Sequence, residues 1–380
     1  MIFFHISDLH IGKQLHYYSL KEDQEKILNE IVEYASEIRP QAIVIAGDIY
    51  DKSVPSAEAV AVFDAFIGKI SELDIKIIAI SGNHDSPERL EFASSILGKQ
   101  NFHISGMPPL KEQDHLKKVS VQDTYGEVHF WLMPFLKPGY VKNIFPDAPP
   151  ESYTDAVSAV LHREAIQENE RNVLVTHQFF TGAGKETQRS DSESVYVGGT
   201  GNVDISAVNQ FDYVAMGHIH KAQTIGEERF RYCGTLLKYS AGESRDQKTL
   251  TVVELKEKGV PPVIQELPLH PLRDVCQKKG SLEELLEEGC TDYVSLTLTD
   301  EKTPYQPREQ LERVYPYILE LKVENTRTRS IFQETEQSDF SEDPVKMFMD
   351  FYESIHGKEM EESEKTLVEE IMKKLEDSGK

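Results

Sequence analysis

The sequence predicts an α/β fold, and three observations predict it. Short apolar runs recur at Ile2 to Ile6, Ala42 to Ala46 and Ile75 to Ile80, each of strand length. Between them, apolar residues return every three or four positions, the period of an amphipathic helix. Each run then stops at a turn bearing polar side chains: Ser7-Asp8-Leu9-His10, Gly47-Asp48 and Gly82-Asn83-His84-Asp85. Strands alternating with helices imply parallel, right-handed crossover units and one sheet covered on both faces. Ligands of such sheets bind at the carboxyl ends of the strands, where these turns lie.

The first strand, interrupted by His5, leads into Asp8 and His10, which stand two apart, so an extended backbone would point both to one side. A helix follows, with Ile27, Leu28, Ile31, Val32, Ala35 and Ile38 at helical spacing and Pro40 as its stop. The second strand ends in Gly47-Asp48-Ile49-Tyr50-Asp51. From about Ser56 to Leu73 a second helix carries Val60, Phe63, Phe66, Ile67 and Ile70 on one face. The third strand ends in Gly82-Asn83-His84-Asp85, after which Ser86 reads as an N-cap and Pro87 as the first residue of a helix bearing Leu90, Ala93 and Leu97.

Farther along, Val119 to Pro134 reads as a hairpin around Tyr125-Gly126, and a helix is expected from about Tyr153 to Glu170. Val173 to Val175 leads into Thr176-His177-Gln178. Thr181 to Gly201, rich in Gly, Ser and Thr, reads as a mobile loop. Phe211 to Met216 is a strand ended by Gly217-His218-Ile219-His220, and Glu228 to Cys233 and Thr249 to Leu255 are strands. Prolines at 261, 262, 268 and 271 mark a boundary near Gly259. Beyond it a small α+β unit is expected, with strands at Tyr293 to Leu298 and Ile318 to Val323 around a helix near Arg308. Residues 326–343 read as a linker, and 344–380 as a helical tail with Phe348, Phe351, Ile355, Leu367, Ile371 and Leu375 at one-turn spacing.

A chain of 380 residues, 39% of them hydrophobic, is long enough for two or three units. Cys233, Cys276 and Cys290 are odd in number and far apart in sequence, so neither a disulfide framework nor a cysteine zinc site is expected, and a reducing cytoplasm fits. Asp8 and His10 interrupt the apolar start before a signal-peptide core forms, and no run approaches the roughly 18 apolar residues of a membrane span. With 41 Lys and Arg against 65 Asp and Glu, the net charge of -24 argues against strong unaided binding to nucleic acid, which rests on phosphate neutralisation. Bound dications would invert the local sign of a carboxylate-lined cleft, and a partner could supply a basic surface.

Asp8, His10, Asp48, Asn83, His177, His218 and His220 are oxygen or nitrogen ligands that all follow strands. Seven are too many for one tetrahedral zinc and suit two five- or six-coordinate metals, with Asp48 as the bridging carboxylate. Metals roughly 3.5 to 4 Å apart stabilise both the entering and the leaving oxygens of a phosphate ester, so phosphoester hydrolysis is the expected reaction. His5, His16, His103, His115, His129, His162, His270 and His356 lack this context and are assigned to surface or core.

Asp-x-His, Gly-Asp-x-x-Asp, Gly-Asn-His-Asp, a lone His and Gly-His-x-His, in this order over residues 1 to about 255, resemble the calcineurin-like metallophosphoesterase superfamily. Ile6-Ser7-Asp8-Leu9-His10-Ile11-Gly12-Lys13 and the two-part remainder of the chain resemble its double-strand-break repair nucleases. The resemblance implies a sandwich of β-sheets flanked by helices over 1–259, a small α+β capping domain over 260–325 that approaches duplex DNA, and a tail over 344–380 that binds the coiled coil of an ATPase. It further implies one metal held by Asp8, His10, Asp48 and His220 and another by Asp48, Asn83, His177 and His218, with Mn²⁺ the usual activator and Mg²⁺ the alternative. His84 would contact the scissile phosphate and protonate the leaving oxygen, with Asp85 orienting its ring. Homodimerisation through helices after Pro55 and Ser86 is also implied. Two rivals share the motifs: a stand-alone phosphatase or cyclic-nucleotide phosphodiesterase, and a non-catalytic scaffold.

Overall fold

The computed structural model describes residues 1–182, 201–302 and 304–324, with isolated positions beyond. The linker expected at 326–343, most of the tail expected at 344–380, and most of the loop from Thr181 to Gly201 lie outside the described residues.

Strands β1 (Ile2–Ile6), β2 (Ala42–Ala46) and β3 (Lys76–Ile80) form as the apolar runs predict, with α1 (Lys21–Ile38) and α2 (Ala57–Glu72) between them. Every residue of β2 is buried, as in a strand covered on both faces. Ser56 caps α2 by accepting the Ala59 N–H. The segment after Pro87 departs from expectation. It is two short helices, Pro87–Glu91 and Ser94–Leu97, broken where Ala93 turns left-handed at φ 59°. Ser86 makes no side-chain cap, because its hydroxyl donates to Glu88.

Next come β4 (Phe102–Ser105) and the hairpin of β5 (Lys117–Asp123) and β6 (Gly126–Met133). The helix expected to reach Glu170 is shorter, α3 (Tyr153–Arg163), closed at its start by a Ser152 and Asp155 capping box. It is followed by β7 (Arg171–Thr176), β8 (Tyr213–Met216), β9 (Gln223–Ile225), β10 (Glu227–Tyr232), β11 (Thr249–Glu254) and β12 (Val263–Pro268).

These strands form two six-stranded sheets rather than the single sheet the alternation implied. The first runs β12-β11-β1-β2-β3-β4, and the second β9-β10-β8-β7-β6-β5. Each has four parallel strands and an antiparallel pair or strand at its margins. Alternation cannot say which strands share a sheet, and here the second face of each sheet is covered by the other sheet. Phe3, Val44 and Ile78 of the first pack on Phe130, Val173 and Tyr213 of the second. The rings of Phe3 and Phe130 meet edge-on with centroids 5.4 Å apart. Helices α1 and α2 cover the outer face of the first sheet, and α3 that of the second.

The first sheet continues past residue 259, since β12 pairs with β11 throughout its length. None of its residues is buried, and its terminal proline suits an edge strand. Beyond lies a unit of three parallel strands, β13 (Val275–Gly280), β14 (Tyr293–Leu298) and β15 (Tyr317–Val323), with α4 (Leu282–Glu288) and α5 (Pro307–Leu311). Strand β13 and helix α4 were not expected from the sequence. Cys276 of β13 and Cys290, whose separation in sequence suggested neither a disulfide framework nor a cysteine zinc site, come together here with Asp292. The unit is joined to α1 by a buried carboxylate: Asp23 accepts from Arg273 Nη1 at 2.8 Å, the Arg273 N–H at 3.1 Å and the Tyr293 hydroxyl at 2.9 Å.

Candidate metal centre

The turns after β1, β2 and β3 meet those after β7 and β8 at one edge of the sandwich. Asp8 N–H donates to Gly47 O at 3.0 Å, His10 N–H to Asp48 O at 3.0 Å and Ile11 N–H to Ile49 O at 2.9 Å, so the first two turns are zipped together. Gln24 of α1 holds the first turn from outside, donating to His10 O at 2.8 Å, and the Tyr239 hydroxyl donates to Leu9 O at 2.5 Å. Asp8 and His10 reach the site through left-handed turns, with φ of 52° and 43°, and not through the extended backbone that the spacing predicts. Asp48 (φ 50°) and His218 (φ 99°) share that conformation, which non-glycine residues adopt at a cost and which clusters at functional sites.

Two glycines make the convergence possible. A Cβ on Gly82 would stand 2.1 Å from Asp48 Oδ1, and one on Gly217 would stand 2.0 Å from Ala46 O and 2.7 Å from His177 Nδ1. These motifs carry glycine because a carboxylate and an imidazole occupy the space a side chain would take.

All seven expected ligands lie in this pocket. Asp8, His10, Asp48, His177 and His220 are buried, while Asn83 and His218 are partly exposed. His177 Nε2 lies 3.2 Å from Asp48 Oδ2, 3.9 Å from Asp8 Oδ1 and 3.1 Å from Asn83 Oδ1. His218 Nδ1 is 2.9 Å from the same Asn83 oxygen, and its N–H donates to Asp8. On the other side of Asp48, His10 Nε2 is 3.8 Å from its Oδ2 and 3.3 Å from His220 Nε2. Asp8, His10 and His220 form one cluster with donor atoms within 4.8 Å of one another, and Asp8, Asp48 and His177 another.

The chemistry of this donor set fits cations. His177 donates from Nδ1 to Ala46 O at 2.7 Å, which turns Nε2 toward the two carboxylates. Burial pushes His10 down to about 3 and His220 well below its ordinary value, so both stay neutral. Two neutral rings therefore bring their nitrogens within 3.3 Å of one another beside a carboxylate. Burial raises Asp8 to about 6, and the neighbouring Asp48 adds to that rise. Burial opposes the charge on Asp48 too, but His177 outweighs it and holds that carboxyl below the usual range. Against burial, the Asp48 and Asp8 carboxylates raise His177 to about 9. In the protein alone, one proton on His177 thus supplies the positive charge that two buried carboxylates demand, a role divalent metals fill more fully.

His84 lies at the rim, its ring edge-on to His10 with centroids 4.8 Å apart. Asp85 does not orient it. That carboxylate accepts the N–H groups of Ile49 at 3.1 Å, Tyr50 at 2.9 Å and Gly82 at 2.9 Å, pinning the second motif to the third. The His84 ring is instead set by Asp51 O, which accepts from Nδ1 at 3.1 Å, and its N–H donates to Asp48 Oδ1 at 2.8 Å. Sequence reasoning also missed the supports around the ligands. Ser7 donates to Asp8 Oδ2 at 2.5 Å, Tyr239 sets its ring edge against His10 and His220, and Phe135 stacks on His218. Only Ser7 adjoins a motif; nothing local marks Gln24, Phe135 or Tyr239.

Residues 1–222 match the family model described as calcineurin-like phosphoesterase, and residues 268–356 match one described as type 5 capsule protein repressor C-terminal domain. The chain is 31% identical to the SbcD subunit of the SbcCD nuclease of Staphylococcus saprophyticus over 385 residues, covering 99% of this chain and 98% of that one. It is 32% identical to the protein of the same name from Staphylococcus epidermidis over 328 residues, 83% of this chain and 84% of that one. A dimetal phosphatase from Danio rerio is 13% identical, with a TM-score of 0.38 over 70% of this chain and 98% of that one, a likeness too slight to argue from. With the phosphoesterase pattern over its first 222 residues, near-complete alignment to the Staphylococcus saprophyticus protein and alignment over more than four fifths of the Staphylococcus epidermidis one, the chain belongs to the calcineurin-like phosphoesterase family and, within it, to the SbcD family of SbcCD nucleases.

Proposed function

We propose that the chain is the metal-dependent nuclease component of an SbcCD-type complex, hydrolysing DNA phosphodiester bonds as a double-strand exonuclease and a single-strand or hairpin endonuclease. The observation that carries this reading is Asp48, a buried carboxylate set between His10 and His177. Asp8, His10, Asp48 and His220 would hold one divalent metal, and Asp48, Asn83, His177 and His218 the other, with Mn²⁺ the working ion and Mg²⁺ the alternative. Such ions supply Lewis acidity to a water nucleophile and to the phosphate oxygens. The chain's own part is positioning. With Nδ1–H engaged by Asp51 O, His84 keeps Nε2 to contact the phosphate and pass a proton to the leaving oxygen. Asp85 holds the loops in place for that contact.

Acidity across the chain, with a net charge of -24, makes a partner necessary for firm DNA binding. The SbcC-type coiled-coil ATPase is that partner, docking on the tail at 344–380 beyond the linker 326–343. The nuclease domain, expected over 1–259, then extends through β12 to Pro268, and the remainder of the expected 260–325 unit is the DNA-capping domain. Phe92 and Ile96, 80% and 66% exposed on the broken helix after Pro87, support a homodimer through that surface. No helix among the described residues is long and apolar enough to cross a membrane. Three free cysteines favour action in the reducing cytoplasm.

An assay comparing an aryl phosphodiester, a phosphomonoester and a DNA hairpin, each with Mn²⁺, tests the chemistry. Cleavage of the hairpin and the diester is expected; hydrolysis of the monoester alone would favour the stand-alone phosphatase. A pull-down from the native host with and without residues 344–380 tests the partner, and retention of a large ATPase by the truncated chain would contradict the tail's role.

A further inference from the structure

We propose that Cys276, Cys290 and Asp292 form a site for one thiophilic divalent cation of the zinc class, in the three-stranded unit and separate from the phosphoesterase centre. One sulfur from each cysteine and a carboxylate oxygen of Asp292 lie within 4.8 Å of one another. A zinc–sulfur bond of about 2.3 Å and a tetrahedral angle set two sulfurs about 3.8 Å apart, so the cluster needs to close by at most about 1 Å. Three protein ligands leave one position for water, and all three residues are half-exposed, which gives a cation access.

The backbone holds each donor independently. Cys276 is the second residue of β13 and pairs with Val294 of β14. Cys290 follows Gly289, the C-cap of α4, and its N–H donates to Val314 O at 3.1 Å. Asp292 directly precedes β14, and its Oδ1 accepts the Asp274 N–H at 3.0 Å. Donors from the start of β13 and from the return loop before β14 thus meet at the amino end of one strand-helix-strand crossover. A cation there ties the two ends of that crossover together, a common device in units whose core is as small as the one around Val294, Leu296 and Tyr315.

Two thiols on the rim of a small core are commonly only apolar filling. The converging carboxylate distinguishes this pair, because an oxygen donor adds nothing to apolar packing and nothing to a disulfide. Lys278, the nearby cation, is paired with Glu288 at 2.8 Å.

Cobalt(II) added to the full, reduced chain tests the site, because thiolate-to-cobalt charge transfer absorbs in the near ultraviolet and the phosphoesterase centre proposed above contains no cysteine. The band is expected in the unsubstituted chain, lost in Cys276→Ser and in Cys290→Ser, weakened in Asp292→Asn, and retained in Cys233→Ser and Asp48→Ala. A second reading avoids variants that fail to fold: Zn²⁺ should protect Cys276 and Cys290 of the unsubstituted chain from alkylation, read by peptide mass spectrometry. Absence of the band, its persistence in Cys290→Ser, or full alkylation of both thiols under saturating Zn²⁺ would overturn the proposal. So would a Cys276–Cys290 disulfide in the isolated chain combined with no cobalt band after reduction, which would make the pair a redox couple instead.

Discussion

Asp48 Oδ2 stands 3.2 Å from His177 Nε2, although the two residues follow strands of different sheets. The contact spans the seam of the sandwich. Each sheet supplies part of the donor set, so the pocket exists only when the sheets are packed, and packing defects should be read out as metal loss.

Gly82→Ala tests the close approach on which Asp48 depends. The added Cβ would lie 2.1 Å from Asp48 Oδ1 and 2.4 Å from its N. Displacement of the carboxylate by even 1 Å should lower cleavage roughly a hundredfold. Calorimetric Mn²⁺ titration should show weakened binding while circular dichroism keeps the native signal.

His84→Ala should leave metal binding unchanged and lower cleavage by about 10²- to 10⁴-fold, the usual worth of a positioned general acid. Turnover of the DNA hairpin, measured beside metal stoichiometry, checks this. Full activity in the variant would remove the role.

The raised His177 pKa sets a pH dependence. Below about 9 the ring carries a proton that a metal must displace, so binding at neutral pH should release about one proton and affinity should rise with pH until about 9. Asp8, raised to about 6, adds a second proton only in more acidic solution. Titration calorimetry in buffers of different ionisation enthalpy measures the release. In the metal-free chain, the same His177 shift stabilises the fold below 6.5 and that contribution is lost as pH rises through about 9.

Arg273→Ala should destabilise the joint between α1 and the three-stranded unit. It leaves the Asp23 carboxylate, 1% exposed, without its charged partner, at a cost of about 3–5 kcal/mol. Chemical denaturation of the full chain should show a lower midpoint.

The ligands are legible in the sequence because each follows an apolar strand, and strand ends are local facts. That His177, His218 and His220 arrive from a second sheet is not legible, since alternation of strands and helices carries no record of which strands pair. Asp85 departs from expectation for a related reason: adjacency to His84 implies contact, whereas the turn points the carboxylate at the N–H groups of Ile49, Tyr50 and Gly82. Strand β13 is hidden because Gln277, Lys278 and Lys279 dilute its apolar signal, and with it is hidden the meeting of Cys276 and Cys290. The break in the helix after Pro87 is equally invisible, because the left-handed turn at Ala93 falls on a residue that favours helix.

The most direct test of the central claim is calorimetric titration of the chain and of Asp48→Ala with Mn²⁺. Two ions per chain are predicted, with tight binding of both lost in the variant; two ions still tightly held by Asp48→Ala would contradict the bridging carboxylate and the two-metal centre built on it.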